Sequence, residues 1–580
     1  HRFRGRVDLT WQLKKSLAQS GLELTAEQEA ELERITKNSI HEPAQVNQYT
    51  SFIGNIMASR ISAQWDFSGP SFTLSAEENS AFKALEVAQM FLSAGDVDAV
   101  VVGAVDLAGN IENVFLRNQI APVSDGPATM SLDEKANGWL IGEGAGAVVL
   151  RRHEDAIAEN ERIYATVEGV SVVQAHTNEG YALPTAAGLH KAIDQVWQDQ
   201  AFMPKDVGYL ELFGSGIAAE DAAEIEGVTA SYGSIATTPQ CALGSVKATV
   251  GHTFAAAGIA SLIKTAHALY YRYVPAVPNW DAPKNPERWQ NSPFYVPTES
   301  RPWFTSPERP RRVAAINGLG EDGAYAHLIL SDEPTQATPP ADYLPKAGLH
   351  LFPIAAADEQ GLLAQLRHLQ QELAEGVALE KVARAAFITF EQNRSAPYKL
   401  VILGSSTKEI EREVQRAEKG IPKALQSGSD WKTPLGSYFA PRPLGRDGKV
   451  AFVYPGAFSA YPYLGQQLFT LFPQLFESFG QHVPDVGELV GEDKLFPRTM
   501  HRLSKQELQA YTDELVDDAI TMLRSGATYS TLVTQVMEEQ FKLRPQAALG
   551  YSLGEMTMMY ATGVWSAADN NSDALQQSPL

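Results

Sequence analysis

Two interruptions rich in Pro and Gly, "SDEPTQATPPADYLPKAG" at 331–348 and "APRPLGRDGKV" at 440–450, do most to limit what this chain folds into. Proline lacks an amide N–H and fixes φ near −65°, so neither run sustains a helix interior or a central strand. A chain of 580 residues also exceeds what one hydrophobic core accommodates. The breaks therefore divide it into three expected units: 1–331, a linker with a small α/β module at 332–448, and 449–580.

The first unit is rich in Gly, Ala and Val. Asp98–Leu107, Gly144–Arg151 and Arg312–Asn317 are apolar at successive positions, the pattern of strands buried on both faces. Helical spacing at Ala81–Leu92 and Ala187–Trp197 alternates with them, which predicts an α/β sheet. In the second unit the periodicity predicts strands at His350–Ala355 and Tyr398–Leu403. Helices are expected there at Glu359–Glu375, Leu379–Phe390 and Thr407–Gly420. The third opens with a strand in "VAFVYPG", 450–456. Acidic residues outnumber basic ones, 69 to 47, for a net charge of −22. That excludes a general nucleic-acid or membrane-surface binder and leaves room for a local basic patch. The single cysteine, Cys241, excludes an internal disulfide framework and suits a reducing cytoplasm. The longest apolar run, around Ala99–Val105, is strand-sized and far short of a membrane span of ~20 residues. A first residue of His1 rather than Met fits a fragment of a longer product.

Four motifs carry chemistry. In "GPSFTLSAEENSAFKAL", 69–85, a turn and a short apolar strand, Phe72-Thr73-Leu74, lead into a helix. A nucleophile suits such a corner, because a helix N-terminus lowers a thiol pKa and stabilises an oxyanion. Here the corner holds Glu77 and Glu78, which also read as first-turn carboxylates complementing the helix dipole. "GYLELFGSGI" places Phe213 before a Gly-rich turn, and "SVKATVGH" pairs Lys247 with His252. "AALGYSLGEMTMMYATGVW", 547–565, sets Ser552 in G-x-S-x-G between a strand and a helix. That context is the one a nucleophile elbow requires. No histidine follows Ser552, and His482 and His501 sit upstream in polar segments. Either the base lies beyond Leu580 or the site is silent.

The first three motifs together resemble the β-ketoacyl synthases, the condensing domains of fatty acid and polyketide synthases. Their nucleophile segment G-P-S-x-T-x-D-T-A-C-S-S-S, laid on Gly69–Thr73, puts Glu78 at the cysteine. E-A-H-G-T-G-T puts Phe213 at the first catalytic histidine, whereas S-V-K-x-x-x-G-H retains Lys247 and His252. "NGWLIGEGAGAVVL", 137–150, resembles the family's G-E-G-A-G strand. The resemblance implies a thiolase-like, five-layered α/β fold whose amino-terminal strands are missing here. It also implies dimerisation, with itself or with an active ketosynthase. The departures imply loss of condensation, because a carboxylate cannot carry an acyl chain as a thioester and an ionised Glu78 would repel a malonyl carboxylate. His252 then reads as a structural histidine.

"VAFVYPGAFSAYPYLGQQL" and the G-x-S-x-G segment resemble malonyl/acyl-CoA:carrier-protein transacylases, of α/β-hydrolase-like fold. Ala457 and Phe458 replace a Gln-Gly pair, and Tyr551 a histidine. That resemblance implies an acyltransferase with Ser552 as nucleophile and Gly550, Leu553 and Gly554 shaping the elbow and oxyanion site. It would pass acyl groups from acyl-CoA to the phosphopantetheine of an acyl carrier protein, with no metal or cofactor of its own. Nearly the whole chain resembles polyunsaturated fatty acid synthase subunits of the PfaB type. Carrier proteins and other synthase subunits are the partners implied, with docking on a local basic patch. Arg442, Arg446 and Lys449 are candidates for it, or a solvated linker face. Two rival readings stay open: a chain-length-setting subunit with a silent Ser552, and a serine hydrolase of the product.

Overall fold

The computed structural model describes residues 2–40, 53–174, 184–198, 202–233, 238–336, 348–445, 448–480 and 485–565. His482 and Arg446 lie outside the described residues. The first unit is built on a six-stranded mixed sheet. Its spatial order is Thr166–Gln174, Ala324–Ser331, Val313–Leu319, Val207–Glu211, Cys241–Gly244 and Phe294–Tyr295. The last four strands run parallel to one another, and Ala324–Ser331 is antiparallel to both its neighbours. Every residue of Val313–Leu319 and Ala324–Ser331 is buried, as continuous apolar strands require when both faces are covered.

Helices Ala186–Trp197 and Ala218–Tyr232 cover one face through Leu189, Ile193, Ile225 and Val228. Helices Ser80–Ala94 and Ala257–Tyr271 cover the other through Phe82, Leu85, Ile259 and Leu262. Beyond that helix pair, Ala99–Asp106 and Gly144–Arg151 form a two-stranded antiparallel sheet. The layers among the described residues are therefore four, not the five expected. The expectation that these two strands are buried on both faces is also corrected. Val101, Val105 and Val149 are 48%, 47% and 67% exposed on the outer face. The Phe72–Leu74 strand is absent too: the backbone there is irregular and Phe72 is exposed, its ring 6.3 Å from Phe91.

In the second unit an antiparallel sheet runs His350–Ala356, Tyr398–Gly404, Tyr438–Phe439, Trp431–Lys432. Helices Glu359–Ala374 and Thr407–Ser427 pack on it. The latter continues seven residues past the Gly420 end expected from sequence, through Pro422. Ile410, Val414, Ala417, Ile421 and Ala424 are all buried, and that unbroken stripe offsets the backbone bond that proline removes.

The third segment joins Ala451–Tyr454 and Ala547–Gly550 as parallel neighbours, beside helix Ala519–Glu539. Its 460–536 portion packs against the first unit. Phe304 sits among Phe469 and Phe476, and the Trp280 indole donates to the Met500 carbonyl at 2.9 Å. Among the described residues no helix is long and apolar enough to cross a membrane.

Candidate functional site

The corner at 76–80 forms from small residues around a strained point. Glu77 takes φ +46°, a region costly for any residue but glycine. The Ser80 hydroxyl donates to the Glu77 carbonyl at 2.6 Å and accepts from the Ala76 amide at 3.0 Å. Glu77 points to solvent, whereas Glu78 is only 5% exposed. Of the two first-turn carboxylates, Glu77 alone faces solvent. The Glu78 carboxylate accepts from the Glu321 amide at 3.2 Å. Burial pushes its pKa up, and the Glu321 charge adds to that while Arg117 opposes it.

The Gly-rich turn after Val207–Glu211 is held by helix Ala218–Tyr232. Glu224 accepts from the Phe213 and Gly214 amides at 2.7 and 2.8 Å, and from Asn317 Nδ2 at 2.9 Å. Lys247 Nζ donates to the Phe213 carbonyl at 2.6 Å and lies 3.8 Å from the centroid of the Phe213 ring. Burial pulls the lysine pKa down to about 8, although the carboxylates of Glu224, Glu211, Glu78 and Asp221 favour its charge.

His252 packs edge-on to Phe213 at 5.5 Å and stacks on Phe254 at 4.2 Å. Its Nδ1 accepts from the Phe254 amide at 3.1 Å, which assigns the ring proton to Nε2. Burial, then the charges of Lys247 and Arg117, hold it well below the usual histidine range. Arg117 completes the cluster 3.4 Å above the Phe254 ring. The structure thus brings Glu78, Phe213, Lys247 and His252 to one place between Gly-rich turns. The space beside Lys247, Gly214, Ser215, Thr129 and Ser131 is a cavity of about 10 Å³, enough for one water and far too small for an acyl group. Cys241 supplies no thiolate, since burial pushes its pKa up.

The motif reading passed over a set of buried carboxylates. Glu211 accepts from the Val246 amide at 2.5 Å, from Tyr209 at 2.6 Å and from Lys264 at 2.8 Å. Glu220 is pushed up to about 7, chiefly by burial, with the charges of Glu78, Asp221 and Glu321 adding to it. Glu220, Asp221 and Glu224 share the buried side of their helix with Ala223 and Ile225. Acidic residues interleaved with Ala and Ile at i, i+4 were the available signal.

Ser552 sits apart from this cluster. It caps helix Leu553–Ala561 at φ +56°, ψ −121°, and it is exposed. The sharp crossing depends on Gly550, where a Cβ would come within 2.1 Å of the Gly554 backbone. Leu553 opens the helix, and Gly554 is pressed against the Tyr454 and Pro455 carbonyls. Among the described residues the Ser552 hydroxyl has no hydrogen-bond partner. His501 is engaged with Glu507 at 3.1 Å, at the cap of helix Lys505–Asp517.

Residues 19–156 match the family model for the β-ketoacyl synthase N-terminal domain, and 164–281 that for the C-terminal domain. The chain is 32% identical over 546 residues to one polyunsaturated fatty acid synthase protein of Thraustochytrium sp., covering 88% of this chain and 26% of that one. To a second polyunsaturated fatty acid synthase protein of the same organism it is 28% identical over 541 residues, covering 89% and 19%. The chain thus spans about a quarter or less of these relatives. A solved structure titled PfaC keto synthase–chain length factor aligns at 39% identity and TM-score 0.45, over 58% of this chain and 30% of that one. Both halves of a ketosynthase, of thiolase-like α/β fold, are present in this chain.

The expectation of an acyltransferase working through Ser552 is corrected. The domains that match are the two ketosynthase halves. Ser552 has its strained backbone without a base: among the described residues nothing accepts its proton.

Proposed function

We propose that this chain is the non-condensing, chain-length-factor-like member of a polyunsaturated fatty acid or polyketide-type synthase, paired with an active ketosynthase. The observation that carries the reading is the packing around position 78. A buried glutamate stands where the acyl-carrying thiol belongs, and Phe213 covers the neighbouring cation. Claisen condensation needs a thiolate to hold the acyl chain and ring N–H donors to polarise the malonyl carbonyl. Glu78 cannot form the thioester, Phe213 has no donor, and His252 is packed edge-on to Phe213 and stacked on Phe254. On this reading the growing chain stays on the partner ketosynthase and on the phosphopantetheine of a carrier protein. The present chain supplies a rigid wall of the active pair.

The test uses the full chain with malonyl- and acyl-carrier protein, alone and with an active ketosynthase of the same synthase. Alone it is expected to give neither 3-ketoacyl product nor CO2. Native mass spectrometry is expected to show a mixed pair that does condense. Condensation or CO2 release by the chain alone, abolished in Glu78→Ala, would sink the reading. So would failure to pair at micromolar concentration.

A further inference from the structure

The helix Thr407–Ser427 carries Lys408, Arg412, Arg416, Lys419 and Lys423, all exposed. At about 100° per residue these five side chains fall within an arc of about 80°, and they span about 22 Å of helix axis. The other helix residue on that arc is Gln426; Gln415 lies just outside one edge, and Glu409 and Ser427 lie just outside the other. The opposite side of the helix is fixed to the sheet by Ile410, Val414, Ala417 and Ile421, so the stripe is held rigidly outward. Arg412 and Arg416 are held in place by Glu409 at 3.9 Å and Glu413 at 2.7 Å, yet their side chains are 65% and 56% exposed. Lys408, Lys419 and Lys423 have no ion-pair partner among the described residues.

We propose that this helix face is a docking surface for the acidic face of a helix on a partner protein. The inference is independent of the reading of the ketosynthase-like site. Charge complementarity identifies the occupant. On a chain of net charge −22, five cations in a single row are a local reversal of sign, and such reversals steer and orient a partner. A straight row one helix wide matches carboxylates repeated at i, i+4 along another helix. A long polyanion fits less well, because the row is only about 22 Å long and offers no exposed aromatic for base stacking. A bilayer fits less well too. No large apolar side chain of the helix Thr407–Ser427 is among the exposed ones, so the row itself inserts nothing among lipids.

The test measures binding of the full chain to a fluorescein-labelled, alanine-based helical peptide with glutamates at i, i+4, i+8, i+11 and i+15. Single-stranded oligo-dT and phosphatidylserine vesicles serve as alternative anions. We expect salt-sensitive binding to the peptide, weakened about tenfold or more in Lys408→Glu/Lys419→Glu/Lys423→Glu. Lys191→Glu, elsewhere on the surface, should leave it unchanged. A melting curve checks each variant, and the milder Lys419→Gln/Lys423→Gln pair, expected to weaken binding severalfold, serves if the triple variant unfolds. Peptide binding within twofold of wild type in a folded variant overturns the proposal. Tighter binding to oligo-dT or vesicles that is lost in the same variant overturns it as well.

Discussion

Glu78 and Glu220 show how one position reorganises its surroundings. Beside the buried Glu78, the acids Glu211, Glu220, Asp221 and Glu224 and one buried lysine share the same low-dielectric space. Glu220 is pushed up from 4.5 to about 7, so the folded chain holds a proton there that the unfolded chain has released. Stability from this group is therefore present below pH 4.5 and is lost as pH rises through about 7. Glu220→Gln is expected to flatten that decline and to raise stability at pH 8 by roughly 2 kcal/mol, measured by urea unfolding at pH 5 and pH 8. A gain of equal size at both pH values would show that the charge is not the cause. Phe213 tests packing instead. Its ring fills the space between Lys247 and His252, and Phe213→Ala is expected to cost about 3–4 kcal/mol. Phe213→His is expected to restore no condensation, since no thiol faces it; 3-ketoacyl product from that variant would contradict this.

The helices and strands were largely legible because their patterns are local. Gly144–Arg151 is the span that apolar run predicts, and Ala186–Trp197 begins one residue before the predicted helix. The errors came where neighbours decide. Pro422 reads as a terminator, yet burial on both sides of it carries the helix onward. Pro422→Ala is expected to stabilise the chain by ~1 kcal/mol or more, by restoring a backbone donor, and thermal unfolding followed by circular dichroism would detect it. Helix–sheet contact sets a sharper limit at Gly188. A Cβ there would stand 2.3 Å from the buried Tyr325 ring, whose hydroxyl also accepts from the Thr185 amide at 2.6 Å. Gly188→Ala is expected to destabilise by about 2–3 kcal/mol, seen as a lower urea midpoint. An unchanged midpoint would mean that the helix moves freely on the sheet.

At the scale of the whole molecule, the third segment is bound to the first through charge as well as apolar contact. Arg301 and Arg498, 3% and 9% exposed, share the single carboxylate of Glu492. Despite the cost of burial, the two guanidinium groups hold that carboxylate below its ordinary value. Its contribution is present above pH 4.5 and is lost as pH falls through its lowered folded value. Glu492→Gln leaves two buried cations without a counter-charge, and a loss of about 3–5 kcal/mol is expected. Limited proteolysis should then cut first between 460 and 502. Cleavage elsewhere at the wild-type rate would show that apolar packing around Phe304 suffices.

The sequence by itself determined the alternation of strands and helices, and it places at 78 and 213 side chains that carry neither a thiol nor a ring N–H. These depend on residue type and short spacing. It misjudged Ala99–Asp106 and Gly144–Arg151, because apolar character states that a face is to be covered and not what covers it. It assigned Ser552 a reaction from a turn that requires only two glycines, whereas a base has to arrive from elsewhere in the chain. Only the tertiary structure decided that Glu78 is buried while Glu77 is exposed, and that Phe213, Lys247 and His252 pack into one cluster. The same holds for the buried acids gathered around them. Burial and the approach of side chains distant in sequence set those energies, and no local pattern encodes them.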